Sequence, residues 1–273
     1  MRAPFLTKIQ ICALALLLLA ARCVARRPDT GFLNRTVQIA GTEYRYQVYV
    51  PENWIRDQKW PVILFLHGWG EKGTDGLKQT QVGIGAALRS YADRYPFVVV
   101  FPQCREGKVW SDDDMVQLAL ATLNAAVKEF RGDEGRLYLT GLSMGGFGTW
   151  EIASRYPHKF AAIAPICGGV RWPDFKELPD RLRTLHHEPD AYDSMARKIG
   201  VTPAWVFHGS ADSIIPVTES RSMVDALKKL AGNVRYTEYP GVDHDSWTKA
   251  YAELGFPAWL LQQKLAPARA SAH

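Results

Sequence analysis

The pentapeptide Gly141-Leu142-Ser143-Met144-Gly145 sets a serine between two glycines, directly after the strand-like run Arg136 to Thr140 and ahead of a helix-like stretch from Gly146 to Arg155. A strand that turns abruptly into a helix holds the intervening serine in strained backbone geometry, with its hydroxyl projecting from the end of the sheet. Residues two before and two after must then be small to avoid a clash. Ser143 is therefore the candidate nucleophile. At ordinary glycine and serine frequencies such a pentapeptide arises by accident in roughly one chain in ten of this size, so the argument rests on partners. A serine hydroxyl attacks poorly at neutral pH unless an imidazole accepts its proton, and that imidazole needs a carboxylate to fix its tautomer and stabilise its charged form.

In an open α/β sheet the acid and the histidine come from loops after later strands, in the order serine, acid, histidine. The run Trp205-Val-Phe-His208 leads into Gly209-Ser-Ala-Asp212, which puts Asp212 just past a buried strand. Arg235 to Tyr239 reads as the next strand, and Pro240-Gly-Val-Asp-His244 leaves it in a turn-rich loop. Asp212 and His244 are the expected partners; Asp243 and Asp245 flank His244, but adjacent side chains point apart. His208 sits at a strand end, where packing or a local hydrogen bond is its expected role, and His158, His186, His187 and His273 read as surface residues. The oxyanion of a tetrahedral intermediate needs two aimed backbone N–H groups. Met144, following the serine, and Trp69, in the glycine-rich loop His67-Gly-Trp-Gly-Glu-Lys-Gly73, are the expected donors, with His67 holding that loop. The loop lacks a Walker lysine pattern and dinucleotide spacing, so no nucleotide cofactor is implied. Trp69, Trp110, Trp172 and Trp247 fall on loops at the same end, where they either wall a site for an acyl or aryl group or pack the loops.

The elements that must carry these residues follow from periodicity. Thr36 to Ala40 and Tyr44 to Val50 alternate around Gly41-Thr-Glu43, which predicts a leading antiparallel hairpin with one wet face. Pro61 to Leu66, Phe97 to Phe101, Leu137 to Leu139, Phe160 to Ala164 and Ala204 to Phe207 are short continuous apolar runs, the pattern of parallel strands covered on both faces. Between them lie helix-length segments at Val82 to Arg94, Met115 to Phe130, Gly146 to Tyr156 and Val217 to Leu230. Alternating strand and helix predicts a doubly wound α/β fold with a mostly parallel sheet. Asp112, Asp113 and Asp114 read as capping and dipole residues of the second helix rather than metal ligands. Gly168 to Gly200 reads as an insertion over the sheet's carboxyl end, with a short helix from Ala191 to Lys198.

With 273 residues, 47% hydrophobic and 22% charged, the chain predicts one catalytic domain over residues 26–273. Arg2 and Lys8 precede the apolar run Ile9 to Ala21, too short and too closely followed by arginines to span a bilayer comfortably; it reads as a secretory signal peptide over residues 1–25. Its removal would take three cations and no acid, leaving 30 basic against 28 acidic side chains from the original 33 and 28. That balance carries no basic stripe for nucleic acid and implies no stable membrane insertion afterwards. Cys104 and Cys167 would remain, either bridged, as an exported chain permits, or as two separate buried thiols. No metal or other cofactor is implied.

Taken together, these residues resemble the α/β-hydrolase superfamily over nearly all of residues 35–262. The blocks Phe65 to Glu71, Tyr138 to Trp150, Ala164 to Gly169, Val206 to Asp212 and Tyr236 to Trp247 are similar to secreted esterases related to feruloyl esterases and polyhydroxybutyrate depolymerases. Some members of that group are labelled predicted peptidases and are similar to the catalytic domain of prolyl oligopeptidases. The resemblance implies a serine, acid and histidine triad at Ser143, Asp212 and His244 acting on a small or oligomeric ester, with a short peptide as the alternative substrate. Ahead of residue 35 there is no propeller-like repeat of the kind that restricts oligopeptidases to short peptides, and no polymer-binding module is recognisable.

Overall fold

The apolar runs assemble into one eight-stranded sheet. The computed structural model describes residues 29–174, 180–183 and 186–265; the signal-peptide reading of residues 1–25, and His273, lie outside them. In chain order the elements are β1 (Gly31–Ile39), β2 (Thr42–Val50), β3 (Trp60–Leu66), α1 (Ile84–Tyr91), β4 (Val98–Phe101), α2 (Asp113–Glu129), β5 (Gly132–Leu142) and α3 (Met144–Arg155). There follow β6 (Ala162–Ile166), α4 (Asp180–Arg183), α5 (Ala191–Ile199), β7 (Ala204–Gly209), α6 (Thr218–Lys229), β8 (Val234–Tyr239), α7 (Trp247–Ala252) and α8 (Gly255–Gln262). The spatial order is β1-β2-β4-β3-β5-β6-β7-β8. β1 and β2 form the expected antiparallel hairpin, β2 also runs antiparallel to β4, and every later pairing is parallel. The hairpin turns on Ala40 and Gly41 at φ 47° and 81°, the left-handed pair that a two-residue connection between twisted strands requires. Its wet face is confined to β1 and the start of β2, because the second half of β2 is buried.

Side chains along the central strands alternate between two cores. Val62, Leu64 and Leu66 of β3 join the core covered by α2, α3, α5 and α6, whereas Ile63 and Phe65 join the one covered by α1, α7 and α8. That double cover explains the unbroken apolar runs: no face of β3 or β4 meets water. From β3 the chain crosses to β4 on one side and then returns to place β5 on the other. Connections leaving in opposite directions open a crevice at the strands' carboxyl ends, between β3 and β5.

The structure departs from the sequence reading at several points. α7 and α8 were not foreseen. Their stretch carries Pro257, which is tolerated because it falls in the first turn of α8, where a backbone N–H has no intrahelical partner. The acids before α2 also act differently from expectation. Asp113 and Asp114 do stand in its first turn, but Asp112, at the cap position, accepts from the Val109 amide (3.1 Å) rather than capping the helix. Asp113 pairs with Arg155 (2.7 Å) and Asp114 with Lys108 (2.9 Å).

Two carboxylates fasten the insertion after β6. Glu219 of α6 accepts the amides of Val170 (2.9 Å) and Arg171 (3.0 Å) on one oxygen and the Tyr192 hydroxyl (2.7 Å) on the other. Glu151 of α3, buried, meets Arg155 Nε (2.6 Å) and His186 Nε2 (2.8 Å). His186 is thus no surface residue, contrary to the sequence reading; its side chain is 17% exposed. The hydrogen bond and charge of Glu151 raise the His186 pKa above 6.5. Burial pushes the Glu151 carboxyl up, but His186 and Arg155 outweigh it and hold it below 4.5. The imidazolium contribution is full below 6.5 and fades as pH rises through the raised value; the carboxylate contribution is full above 4.5 and fades as pH falls. His186→Asn, which keeps a residue tolerant of the φ of 58° there, is expected to cost about 1 kcal/mol between those two limits. The gap should close on the alkaline side, as read by thermal unfolding across pH.

Candidate active site

At the crevice the backbone of β3 and the start of α3 come into contact. Ser143 sits between β5 and α3 at φ 52° and ψ −118°, a region that a residue with a side chain occupies only when its surroundings force it. The forcing is visible at the glycines: a Cβ on Gly145 would overlap the Leu66 carbonyl oxygen, and one on Gly141 would overlap the carbonyl oxygen of Gly145. The Ser143 amide donates to Ile166 O of β6 (2.9 Å), and its carbonyl accepts the amides of Gly146 (2.8 Å) and Phe147 (3.1 Å).

The loops after β7 and β8 bring the acid and the histidine to that serine. His244 Nε2 lies 2.9 Å from Ser143 Oγ, and His244 Nδ1 lies 2.8 Å from Asp212 Oδ2. Because Nδ1 faces a carboxylate it carries the proton, leaving Nε2 to accept from the serine hydroxyl. Asp212 Oδ1 accepts the amides of Ile214 (2.9 Å) and Ile215 (2.8 Å). Burial pushes the Asp212 carboxyl up, yet hydrogen bonds from His208, His244 and the Ile215 amide hold it well below the usual carboxylate range. Asp243 is taken up by Ser213 and the His244 amide, and Asp245 by Thr248. The local bonds of His208 run to Ile215 O (3.0 Å) and Ser220 Oγ (2.7 Å), and its Nε2 also stands 3.1 Å from Asp212 Oδ2.

The loop after β3 begins with His67, fully buried. Its Nε2 accepts the Cys104 amide (2.9 Å), so Nδ1 donates to Gly68 O (2.7 Å). Burial lowers its pKa to about 4, which keeps it neutral and structural. Trp69 opens a turn of 3-10 helix over Trp69–Glu71, and a Cβ on the preceding Gly68 would stand 2.9 Å from Leu142 Cδ1, so this loop lies against the residue before Ser143. The Met144 amide is the first of α3, at the positive end of the helix dipole.

The four tryptophans divide. Trp110, expected beside substrate, is fully buried: its N–H donates to His67 O (2.9 Å), and Gly148 of α3 leaves room for its Cβ. Trp172 is buried as well, stacked on Phe147 with ring centres 4.0 Å apart. Both pack loops. Trp69 is 42% exposed, with Lys72 Nζ 3.0 Å from its ring centre, and half-buried Trp247 stands edge-on to His244 at 5.4 Å. Cys104 and Cys167 are separate buried thiols, not a disulfide. Cys167 Sγ lies within 4.8 Å of the ligand atoms of both Asp212 and His244, but burial pushes its thiol well up and the Asp212 carboxylate already accepts hydrogen bonds from the Ile214 and Ile215 amides and from His244, a poor donor set for a cation.

Residues 108–260, more than half of the chain, match the prolyl oligopeptidase family. The chain belongs to that family. It is 27% identical over 237 residues to feruloyl esterase B of Neurospora crassa, covering 76% of this chain and 77% of the relative. A solved thermostable esterase is 33% identical with a TM-score of 0.71; the match covers 85% of this chain and 63% of that one. The feruloyl esterase module of Clostridium thermocellum, solved as an S954A mutant with sinapinate, shares the fold at a TM-score of 0.65 and 16% identity, over 89% and 92% of the two chains. The expected α/β-hydrolase fold and the likeness to feruloyl esterases are both borne out. In this member of the prolyl oligopeptidase family the crowding at Gly145 leads to a sharp expectation. Gly145→Ala should lower stability by about 3 kcal/mol or more, because the overlapping neighbour is backbone and cannot rotate away. Denaturant unfolding measures it.

Proposed function

We propose that the chain is a serine hydrolase that cleaves carboxylic esters through an acyl-enzyme. The observation that carries this reading is the hydrogen-bonded series Ser143 Oγ, His244 Nε2, His244 Nδ1 and Asp212 Oδ2, at 2.9 Å and 2.8 Å. Ser143 Oγ attacks the ester carbonyl carbon while its proton passes to His244 Nε2, and Asp212 stabilises the imidazolium. The amides of Met144 and Trp69 receive the oxyanion. On collapse the carbonyl–oxygen bond of the leaving group breaks and Nε2 returns the proton to the departing alkoxide. A water, deprotonated by the same nitrogen, then releases the acid and restores the serine. Likeness to a feruloyl esterase and to a thermostable esterase favours esters. Trp247 beside His244 and exposed Trp69 fit an acyl or aryl group, and the substrate is a small or oligomeric ester. The N-terminal apolar run supports export from the cytoplasm.

Peptide cleavage by the same residues is the second reading, favoured by the family itself. Paired ester and amide substrates separate the two, since an amide demands stronger protonation of its leaving group. A fluorophosphonate probe is expected to label Ser143 in the folded protein, and Ser143→Ala to abolish both labelling and ester turnover; a variant that still turns over ester would overturn the assignment. Feruloyl esters tested beside short acyl esters would define the acyl preference. Activity is expected to fall on the acid side of a kcat/KM profile, because only the neutral imidazole of His244 accepts the serine proton.

A further inference from the structure

We propose that His208 is a positioning residue of this reaction, a second imidazole that holds the carboxylate of Asp212 in the plane of His244. The proposal rests on the reading of Ser143, His244 and Asp212 given above. His208 is the last residue but one of β7, four residues before Asp212, and is fully buried. Its Nε2 stands 3.1 Å from Asp212 Oδ2 and 3.0 Å from Ile215 O. Both are acceptors, so Nε2 carries the proton. Nδ1, 2.7 Å from Ser220 Oγ, must then accept, and the buried Ser220 hydroxyl of α6 donates to it. The two acceptors at Nε2 thus set the tautomer of His208, and the Ser220 hydroxyl of α6 anchors the other ring nitrogen.

Three donors hold one carboxylate, two amides on Oδ1 and His244 on Oδ2, and the His208 N–H, shared with Ile215 O, faces Oδ2 as a fourth. Four is about the number of lone-pair directions a carboxylate offers, so Asp212 has no free direction into which to rotate. A residue wanted only for bulk could be apolar, but an apolar residue would strand Ser220 Oγ and Ile215 O without this partner. A donor on Oδ2 spreads the carboxylate's charge, so the imidazolium formed at His244 is stabilised yet can still release its proton to the leaving group. Without His208 the carboxylate is more basic, the imidazolium is held more tightly, and the histidine protonates at higher pH. Other ionisable groups near the pair are Glu238, opposite His208 on β8, Cys167 at the end of β6, and Asp243 and Asp245 on either side of His244. None donates to Asp212 in place of His208.

The test compares His208→Leu, His208→Gln and Ser220→Ala in the full chain. His208→Leu should lower ester kcat by roughly 10- to 100-fold with KM nearly unchanged, and should move the acid limb of the kcat profile to higher pH. His208→Gln, whose amide N–H reaches the place of Nε2, should restore most of kcat and the wild-type limb. Ser220→Ala, which removes the hydrogen bond that anchors Nδ1 and so loosens the ring, should lower kcat several-fold in the direction of His208→Leu. A readout independent of turnover is the downfield proton resonance of the His244 Nδ1–H, assigned by its loss in His244→Gln; it should shift in His208→Leu and return in His208→Gln. A folded His208→Leu with wild-type kcat, limb and resonance would overturn the proposal and leave His208 as packing. Should His208→Leu fail to fold, wild-type values for all three readouts in Ser220→Ala would overturn it instead. The resonance also separates this proposal from the catalytic reading beneath it. If Ser143→Ala still hydrolysed ester, the nucleophile assignment would fall, while the shift in His208→Leu would still decide whether His208 governs the Asp212–His244 pair.

Discussion

The close approach of backbone to backbone where β3 and β5 end is the constraint on which the site depends. The Leu66 carbonyl lies so near Gly145 that no side chain fits there, and Gly141 is equally confined by the carbonyl of Gly145. These contacts hold Ser143 at φ 52°, so its hydroxyl leaves the end of the sheet rather than continuing along the helix. The same contact brings the loop of His67 and Trp69 against the serine's turn, because that loop simply continues β3. One steric fact thus places Ser143, the first amide of α3 and the neighbouring glycine-rich loop together, at the crevice where the sheet's connections diverge.

Around this junction three histidines have three fates, each decided by partners. His67 is enclosed, accepts one amide and donates to one carbonyl, and burial keeps it neutral. His208 is equally enclosed but ends on a hydroxyl on one side and on a carboxylate and a carbonyl on the other. His244 alone keeps part of its ring open to solvent, at 18% exposure, with one nitrogen on the carboxylate and one on the serine. Of these three only His244 combines a proton fixed by a carboxylate with an opening to solvent. The same division runs through the tryptophans: Trp110 spends its N–H on His67 O and disappears into the core, whereas Trp69 and Trp247 stay at the surface of the site.

Much of this was legible in the chain because it follows from local pattern. Two-face cover shows as unbroken apolar runs, and all of β3 to β8 were recognised, although β5 runs from Gly132 to Leu142, well beyond the expected Leu137 to Leu139, and β6 begins two residues later than expected, at Ala162 rather than Phe160. The glycines around Ser143, and Asp212 and His244 placed after successive strands, could be read because loop order is written in sequence order. Other features were not legible. α8 hid behind Pro257, whose tolerance depends on standing in a first turn, and α7, only six residues long over Trp247–Ala252, is too short to show a helical period. His186 read as a surface residue because Glu151, its partner, lies 35 residues away on another element. The four aromatic loop residues could not be sorted in advance, since whether an indole fills a core or faces a cleft depends on the gap left by its neighbours, such as the space at Gly148 that Trp110 occupies.

The sequence by itself therefore determined the doubly wound architecture, the strained serine turn and the order of serine, acid and histidine along the chain. Periodicity, glycine placement and loop order are properties of neighbours in the chain. Only the tertiary structure decided that His244 and Ser143, 101 residues apart, come within 2.9 Å, that the two cysteines stay unpaired, and that a second histidine shares the carboxylate. Those outcomes depend on distances between separate elements, and on which donors burial forces to find an acceptor, neither of which any short stretch of sequence contains.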